Sequence, residues 1–512
     1  MTASVRRRFA FTVGANLLRS GLSFATGMLL ARSLGPVSYG TMAFLLGTFV
    51  AIRQLLDMGS SAAFYTFMSQ RPRSKRFVSS FFAWLGVQFV VPLCVVGLLL
   101  PSQWIATLWR GEPRSLVLLA FAAAFMQNSV WLVVQQAGES QRRTVWVQGV
   151  GVAVVGLHLV AMLLLLWLGR LGLYAIFVAV ALEYLLAAVV VHNRLPAGSA
   201  DASAPTEAQS EPVLRQYLRY CLPLIPYSWI GFAYEFADRW LLQKFGGSVQ
   251  QAYYAVGAQF SAVALIATSS ILNIFWKEIA EAHYRGDVAR TGMLYTRISR
   301  VLFLVGAMIA GFLCPWAEDL LRLILGAAYA GGAGTLIIMF LYPIHQSLGQ
   351  IGGTMLYATE RVMLQVATGM VFMLVSIGVT YLVLAPRNAA VPGLGLASTG
   401  LALKMVGVQF IQANFTAWLI ARMWKWRFDW TYQAVGLLGC LGLGWFAHGA
   451  AIALAGSSWP LPAVMAVGGI AYVMLMAMFV YALPWLAGST RAALVADAGT
   501  LARKTLTRFK PA

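Results

Sequence analysis

Long apolar runs separated by short polar ones dominate this chain. Strict period-two alternation is absent, which argues against a membrane β-barrel. A helix rises 1.5 Å per residue, so about 20 apolar residues cross the hydrocarbon core. By that measure fourteen membrane spans are predicted, at approximately 9–31, 41–69, 77–100, 115–137, 144–168, 174–192, 217–243, 250–272, 294–314, 333–357, 361–385, 393–421, 433–455 and 460–486. The first follows Arg6, Arg7 and Arg8 and so has the charge pattern of a signal peptide. Asn16 and Arg19 interrupt its apolar run and no convincing A-x-A site follows, so it is read as a retained span.

Composition agrees with this pattern. Of 512 residues, 60% are hydrophobic and only 11% charged, against about 45–50% and 25% in soluble domains. That excludes a soluble enzyme, a nucleic-acid-binding protein and a disordered scaffold. The net charge of +20 comes from 37 Lys and Arg against 17 Asp and Glu, and its distribution sets orientation. With the N-terminus inside, the cytoplasmic segments collect Arg71, Arg73, Lys75, Arg76, Arg142, Arg143, Arg285, Arg290, Arg422, Lys425, Arg427 and the basic tail. The outer segments hold only Arg32, Arg110, Arg114, Arg170, Lys244, Arg322 and Arg387. Both termini are therefore expected in the cytoplasm. Cys94, Cys221, Cys314 and Cys440 lie far apart in apolar runs and read as ordinary small core residues.

Residues 193–216 break the rhythm of spans. Their Pro, Ala, Ser and Glu content suits a cytoplasmic linker. It divides an N-terminal bundle (1–192, spans 1–6) from a C-terminal bundle (217–421, spans 7–12), followed by two extra spans (422–487) and a basic tail (488–512). Leu29–Val37 aligns with Leu241–Val249 at an offset of 212 (241 − 29), with Leu, Leu, a basic residue, Gly and Val recurring in register. An even number of spans per repeat predicts a parallel pseudo-two-fold, and transporters of that symmetry run their substrate path between the bundles. The segment 275–290 is amphipathic, either a surface helix or an extension of span eight.

Charges inside a bilayer cost several kcal/mol and face a partner or a wet cavity. The cations at depth are Arg19, Arg53, Arg239 and Lys404. Amides accompany them: Asn16 one turn before Arg19, Gln54, Gln127 and Asn128 in span four, and Gln346 in span ten. The carboxylates are Asp57, Glu183, Glu235 and Asp238, with His345 behind Pro343. Arg53 with Asp57 and Glu235 with Arg239 stand at i,i+4 and are placed to pair. Arg19 has no carboxylate within a turn and is placed either to line a cavity or to meet Glu183 across the bundle. His158 and His448 read as satisfied core histidines. Four cations against four carboxylates leave the interior balanced, so Asp57, Glu183, Glu235, Asp238 and His345 are candidate ion-coupling groups. No metal-spaced Cys/His set, P-loop, H-E-x-x-H or G-x-S-x-G occurs. Neither enzyme activity, metal nor cofactor is expected, and uphill transport would draw on an ion gradient or on substrate supply.

The stretch Asn16-Leu17-Leu18-Arg19, then Leu30-Ala31-Arg32-Ser33-Leu34-Gly35-Pro36-Val37-Ser38-Tyr39-Gly40, resembles the first hairpin of Wzx-type polysaccharide transporters. These belong to the multidrug/oligosaccharidyl-lipid/polysaccharide exporter superfamily. Pro223-Leu224-Ile225-Pro226 with Asp238-Arg239-Trp240-Leu241-Leu242 is similar to the start of their second half, and Ile324–Tyr329 to an outer loop. The resemblance implies an all-α polytopic membrane protein: two six-helix bundles plus two extra C-terminal helices. It implies a flippase for a polyprenyl-diphosphate-linked oligosaccharide, moved by alternating access for O-antigen, capsule or exopolysaccharide synthesis, with a polymerase and glycosyltransferases of that pathway as partners. The cationic cavity residues of such flippases correspond in type to Arg19, Arg53, Arg239 and Lys404; Asn16, Gln54, Gln127, Asn128, Tyr234 and Gln346 suit sugar hydroxyls. A lipid II flippase, a drug exporter of the same superfamily and a membrane-embedded polymerase or ligase are the alternatives. The short outer loops disfavour a polymerase.

Cysteines introduced at 70–76 and at 276–290 are expected to label only from the cytoplasmic side. Labelling of either from outside inverts the map.

Overall fold

The computed structural model describes residues 2–70, 73, 75–194, 212–455, 459–493 and 495–496. Most of the linker read at 193–216, and the tail beyond 496, lie outside the described residues. Those residues form seventeen α-helices and no strand. In chain order they are α1 (Thr2–Asp57), α2 (Ser60–Gln70), α3 (Lys75–Cys94), α4 (Ser102–Leu108), α5 (Arg114–Phe125), α6 (Trp131–Ser140), α7 (Thr144–Trp167), α8 (Leu173–Arg194) and α9 (Val213–Cys221). They continue with α10 (Ile225–Tyr284), α11 (Val288–Leu313), α12 (Ala317–Leu325), α13 (Ala333–Ala358), α14 (Val362–Leu384), α15 (Ala397–Trp424), α16 (Thr431–Ala455) and α17 (Leu461–Ala482). Helices alone satisfy every backbone group internally, as a bilayer requires of an open chain. Ten helices among the described residues are long and apolar enough to cross, so this is a multi-pass membrane protein.

Two of the helices are double. The α1 helix runs through the first stretch read as a span and into the second, which α2 completes, and α10 runs through most of the seventh and all of the eighth. Each breaks at one glycine: Gly35 at φ 72, ψ 171 and Gly247 at φ 75, ψ −178. Only glycine adopts this conformation without strain. The two positions are paired by the offset of 212, so the sequence repeat corresponds to the same backbone break made twice. Pro36 follows the first break, where its fixed φ suits the start of a new helix. Beyond its break α10 runs without interruption to Tyr284. The stretch 275–284 is therefore an extension of span eight rather than a separate surface helix, because nothing in it interrupts the i→i−4 ladder.

Contacts divide the chain into two compact units: 1–256 with 373–401, and 257–372 with 402–512. In the first, α1 packs along α7 and α5, and α8 along α5, α7 and α6. The two broken helices meet there. Gly40 packs against Ser248, where a Cβ would collide with the carbonyl, and the Thr41 and Ser248 hydroxyls are 3.2 Å apart. Thr41 also donates to Glu112 at 3.3 Å, in the turn before α5. In the second unit α11 packs on α13 and α16, and α16 on α17. Tyr472 ties these by donating to the Met308 carbonyl at 3.1 Å.

Gly40→Val is expected to destabilise the protein by about 3 kcal/mol, the upper end for overpacking, since backbone rather than a flexible side chain must yield. Gly14→Val, with nothing within 4 Å of its Cβ, serves as control. Equal melting temperatures for the two purified variants would contradict this packing.

Candidate functional site

Most of the charge that the sequence places at depth lies in the first unit, in two clusters. The first centres on α10 just before its break. Arg239 lies over Gly47 of α1: a Cβ there would be 3.0 Å from its Nε, so glycine makes the room. Its guanidinium sits 5.1 Å from the Tyr254 ring, a cation–π distance, and Tyr39 lies within its field. One turn earlier Glu235 is held by a hydrogen bond with Gln54 and by attraction to Arg239 and Arg53. Gly231 gives Gln54 its place. Buried Asp238 accepts from the Thr380 hydroxyl at 2.7 Å. Arg53, Gln54, Glu235, Asp238 and Arg239 thus share one neighbourhood, and Tyr39, Tyr254 and Thr380 join it.

Asp57 departs from its expected role. Its carboxylate accepts from the Ser61 amide and from the Ser60 and Ser61 hydroxyls. It ties the end of α1 to the start of α2 and is not the partner of Arg53. The chain turns there through Met58 and Gly59 at positive φ, and the exposed N-terminal amides of α2 draw the carboxylate forward along the chain.

The second cluster surrounds Arg19, whose Nη2 donates to Asn16 at 2.8 Å. Its Nη1 is 3.4 Å from where a Gly151 Cβ would stand, and Trp131 walls the same spot. Gln127 hydrogen-bonds Tyr184, which lies in the field of Glu183 and Arg19. A π-helical turn, Met126–Val130, carries Gln127 and Asn128; such turns interrupt regular helices at working positions in many proteins. Asn128 turns back onto the Ala124 carbonyl at 3.0 Å. The expected alternative pairing of Arg19 with Glu183 is not made. His158 Nδ1 meets Glu183 Oε2 at 2.8 Å, so the ring on neighbouring α7 has taken the carboxylate first.

The second unit holds the rest. His345 is buried, with edge-on contacts to Phe410 at 4.9 Å and Phe303 at 6.0 Å. Its Nδ1 has no hydrogen-bond partner among the described residues. Lys404 is buried, with Met405 Sδ 3.9 Å from its Nζ. His448 packs on Trp316 at 4.4 Å, and its Nε2 stands 4.0 Å from Asp319, at ion-pair but not hydrogen-bond distance. Gln346 lines a cavity of about 490 Å³ that sequence reasoning missed. Gln350, Gln365, Gln409 and Gln412 share its wall with Thr354 and Thr416. Five amides and no charge make a lining suited to hydroxyls. The signal was present: amides in apolar helices seek partners, as polar side chains do throughout membrane bundles.

Comparison with solved structures identifies the architecture. The chain superposes on a lipid II flippase, MurJ, in an inward closed conformation with TM-score 0.70 and 12% identity, covering 93% of this chain and 99% of that one. An inward-facing multidrug resistance transporter of the MATE family in the MOP superfamily gives 0.59 at 16% identity, covering 79% and 94%. A MOP superfamily transporter from Pyrococcus furiosus gives 0.51 at 14% identity, covering 82% and 94%. No curated protein sequence matches. The fold is therefore that of the flippase and multidrug transporter superfamily. Within it the chain belongs to the family described as "Polysaccharide biosynthesis protein", whose profile matches residues 5–275.

Arg239→Gln is expected to cost about 2 kcal/mol, because Glu235 loses a charged partner while still out of bulk water. Adding Glu235→Gln should recover most of that loss. Melting temperatures of the two single variants and the double variant give the coupling, and strict additivity would show that the pair does not interact.

Proposed function

We propose that the protein is a non-enzymatic flippase that turns a polyprenyl-diphosphate-linked oligosaccharide from the inner to the outer leaflet of a bacterial inner membrane, with both its own termini cytoplasmic. The observation that carries this is the gathering of Arg53 and Arg239 with amide and aromatic partners at membrane depth, in a chain of a polysaccharide biosynthesis family. A diphosphate cannot cross hydrocarbon unaided. Guanidinium forks replace its hydration with paired, charge-assisted hydrogen bonds, and Arg19 offers the same chemistry beside Asn16 and Gln127. Gln54 beside the arginines, and Asn16 and Gln127 beside Arg19, suit the sugar hydroxyls, while the polyprenyl tail stays in lipid. As the phosphates take the arginines, Glu235 loses its cations and takes up a proton, which couples substrate movement to an ion gradient. Alternating access carries the loaded site from one leaflet to the other, and a polymerase uses the delivered unit.

The likeness to a lipid II flippase over nearly its whole length supports a second reading, since that substrate name also denotes a lipid-borne headgroup. One experiment separates the two. Depletion of the protein should abolish surface polymer and leave lipid II export untouched. In complementation, Arg53→Gln should reduce surface polymer at least tenfold at normal protein level, and Arg53→Lys should retain part of it, because charge survives without the planar fork. Accumulation of lipid II at the inner leaflet would favour the second reading. Full polymer export by both Arg53→Gln and Arg239→Gln would overturn the role given to the arginines.

A further inference from the structure

The glutamine-lined cavity has no part in the cycle above. All of its lining residues belong to the second unit. It lies between the second half of α13, the first turn of α14 and the middle of α15, close to the α13–α14 turn. Its volume of about 490 Å³ falls in the range of about 300–1,000 Å³ usual for small-molecule sites. No charged side chain is among the described residues that line it.

Its polar groups are held in place. Gly349 leaves room for Gln409: a Cβ there would stand 2.5 Å from the amide nitrogen. Gly353 does the same for Gln365 at 3.3 Å, and Gly352 for the Thr416 methyl at 3.0 Å. Glycine weakens a helix interior; here three of them let two amides and a threonine lie against the α13 backbone. Tyr342 donates to Gln346 at 3.2 Å. The Thr354 and Thr416 hydroxyls donate to the Gln350 and Gln412 backbone carbonyls at 2.8 and 2.9 Å, which leaves their oxygens as acceptors. Two further acceptors go unanswered. The side-chain carbonyls of Gln350 and Gln365 are buried without a hydrogen-bond partner among the described residues. Buried polar atoms are nearly always hydrogen-bonded, so these two mark where a donor from outside the chain belongs.

Amides also join membrane helices to one another. That role would pair them across the helices, whereas here two carbonyls stay unmet and the amides border a space. We propose that the cavity binds uncharged sugar rings. Amides both donate and accept, and sugar hydroxyls do the same, so each can answer the other in several orientations. A uronic acid would bring a carboxylate to a lining with no cation to answer it, and burying an unpaired charge is costly. The cavity therefore selects neutral sugars over acidic ones. On the map of spans the α13–α14 turn faces the cytoplasm, so the sugars would be met on the side from which a lipid-linked unit is loaded. As a step in transport this rests on the flippase reading; as a binding site it does not.

The test uses the purified full-length protein in lipid nanodiscs free of sugar-based detergent, with bound glycan read by saturation-transfer NMR. The probes are free trisaccharides of glucose, of galactose and of N-acetylglucosamine, and a trisaccharide of galacturonic acid. Wild type should bind at least one neutral probe, and at least tenfold more tightly than the galacturonate. Gln350→Met and Gln365→Met keep the length of the side chain and remove its amide. Each should weaken the neutral probe about fivefold, the worth of one neutral hydrogen bond, and the double variant should lose it. Melting temperatures should hold or rise, because an apolar group replaces an unmet buried acceptor. A clear fall in melting temperature would make the amides structural and overturn the proposal. So would a wild type that binds no neutral probe or binds the galacturonate as tightly, or a double variant that binds as wild type does. Arg53→Gln is carried throughout. It should lose polymer export yet bind glycan as wild type does, so failure of this site and failure of the transport reading are distinguishable.

Discussion

A guanidinium inside a hydrocarbon slab must be answered, and the answer given to Arg239 organises the first unit. Its room comes from Gly47, its partners from Tyr254, Tyr39 and Glu235, and its position from the break at Gly247. A straight α10 would carry Tyr254 on past Arg239 along one axis. The break folds the chain back so that a residue after it meets a residue before it. The matching break at Gly35 does the same for α1, and Gly40 against Ser248 clamps the two together. Backbone conformation, close packing and buried charge are thus one constraint in three forms.

The architecture was legible because it rests on period and length. Apolar runs of about 20 residues announced the helices, and the offset of 212 residues pointed to the paired glycines before any backbone angle was known. The cost of charge at depth picked out Arg53, Glu235, Asp238 and Arg239 one by one, but their shared neighbourhood was not read from the sequence. What local spacing misjudged were the partners. Arg53 and Asp57 stand one turn apart, yet serine hydroxyls and an amide took Asp57 because the helix ends there. Glu183 went to His158 and not to Arg19, a choice set by how α7 packs on α8. Helix ends and interhelical registers are tertiary facts, and no period in the chain encodes them. The glutamine cavity was missed for a related reason. Its amides come from three helices, and each alone looks like a single tolerated polar residue.

The two kinds of interior polarity imply different chemistry. The glutamine cavity is uncharged, and its amides both donate and accept, so it can meet hydroxyls in many orientations without a large desolvation cost. The arginine clusters are charged but balanced, and a balanced site does not attract an anion merely by being there. In the proposed cycle, phosphate oxygens must displace a carboxylate from its arginines. The displaced carboxylate then stands ionised and unpartnered at depth or takes a proton. Protonating an ordinary carboxylic acid at neutral pH costs about 4 kcal/mol. Leaving the ion unpaired in a poorly hydrated interior costs more, so proton uptake wins. On this arithmetic the carboxylates are not a defect in an otherwise basic site. In the proposed cycle they make anion entry conditional on a proton, and release of the anion on that proton's departure, a link between the two that a permanently basic site would lack.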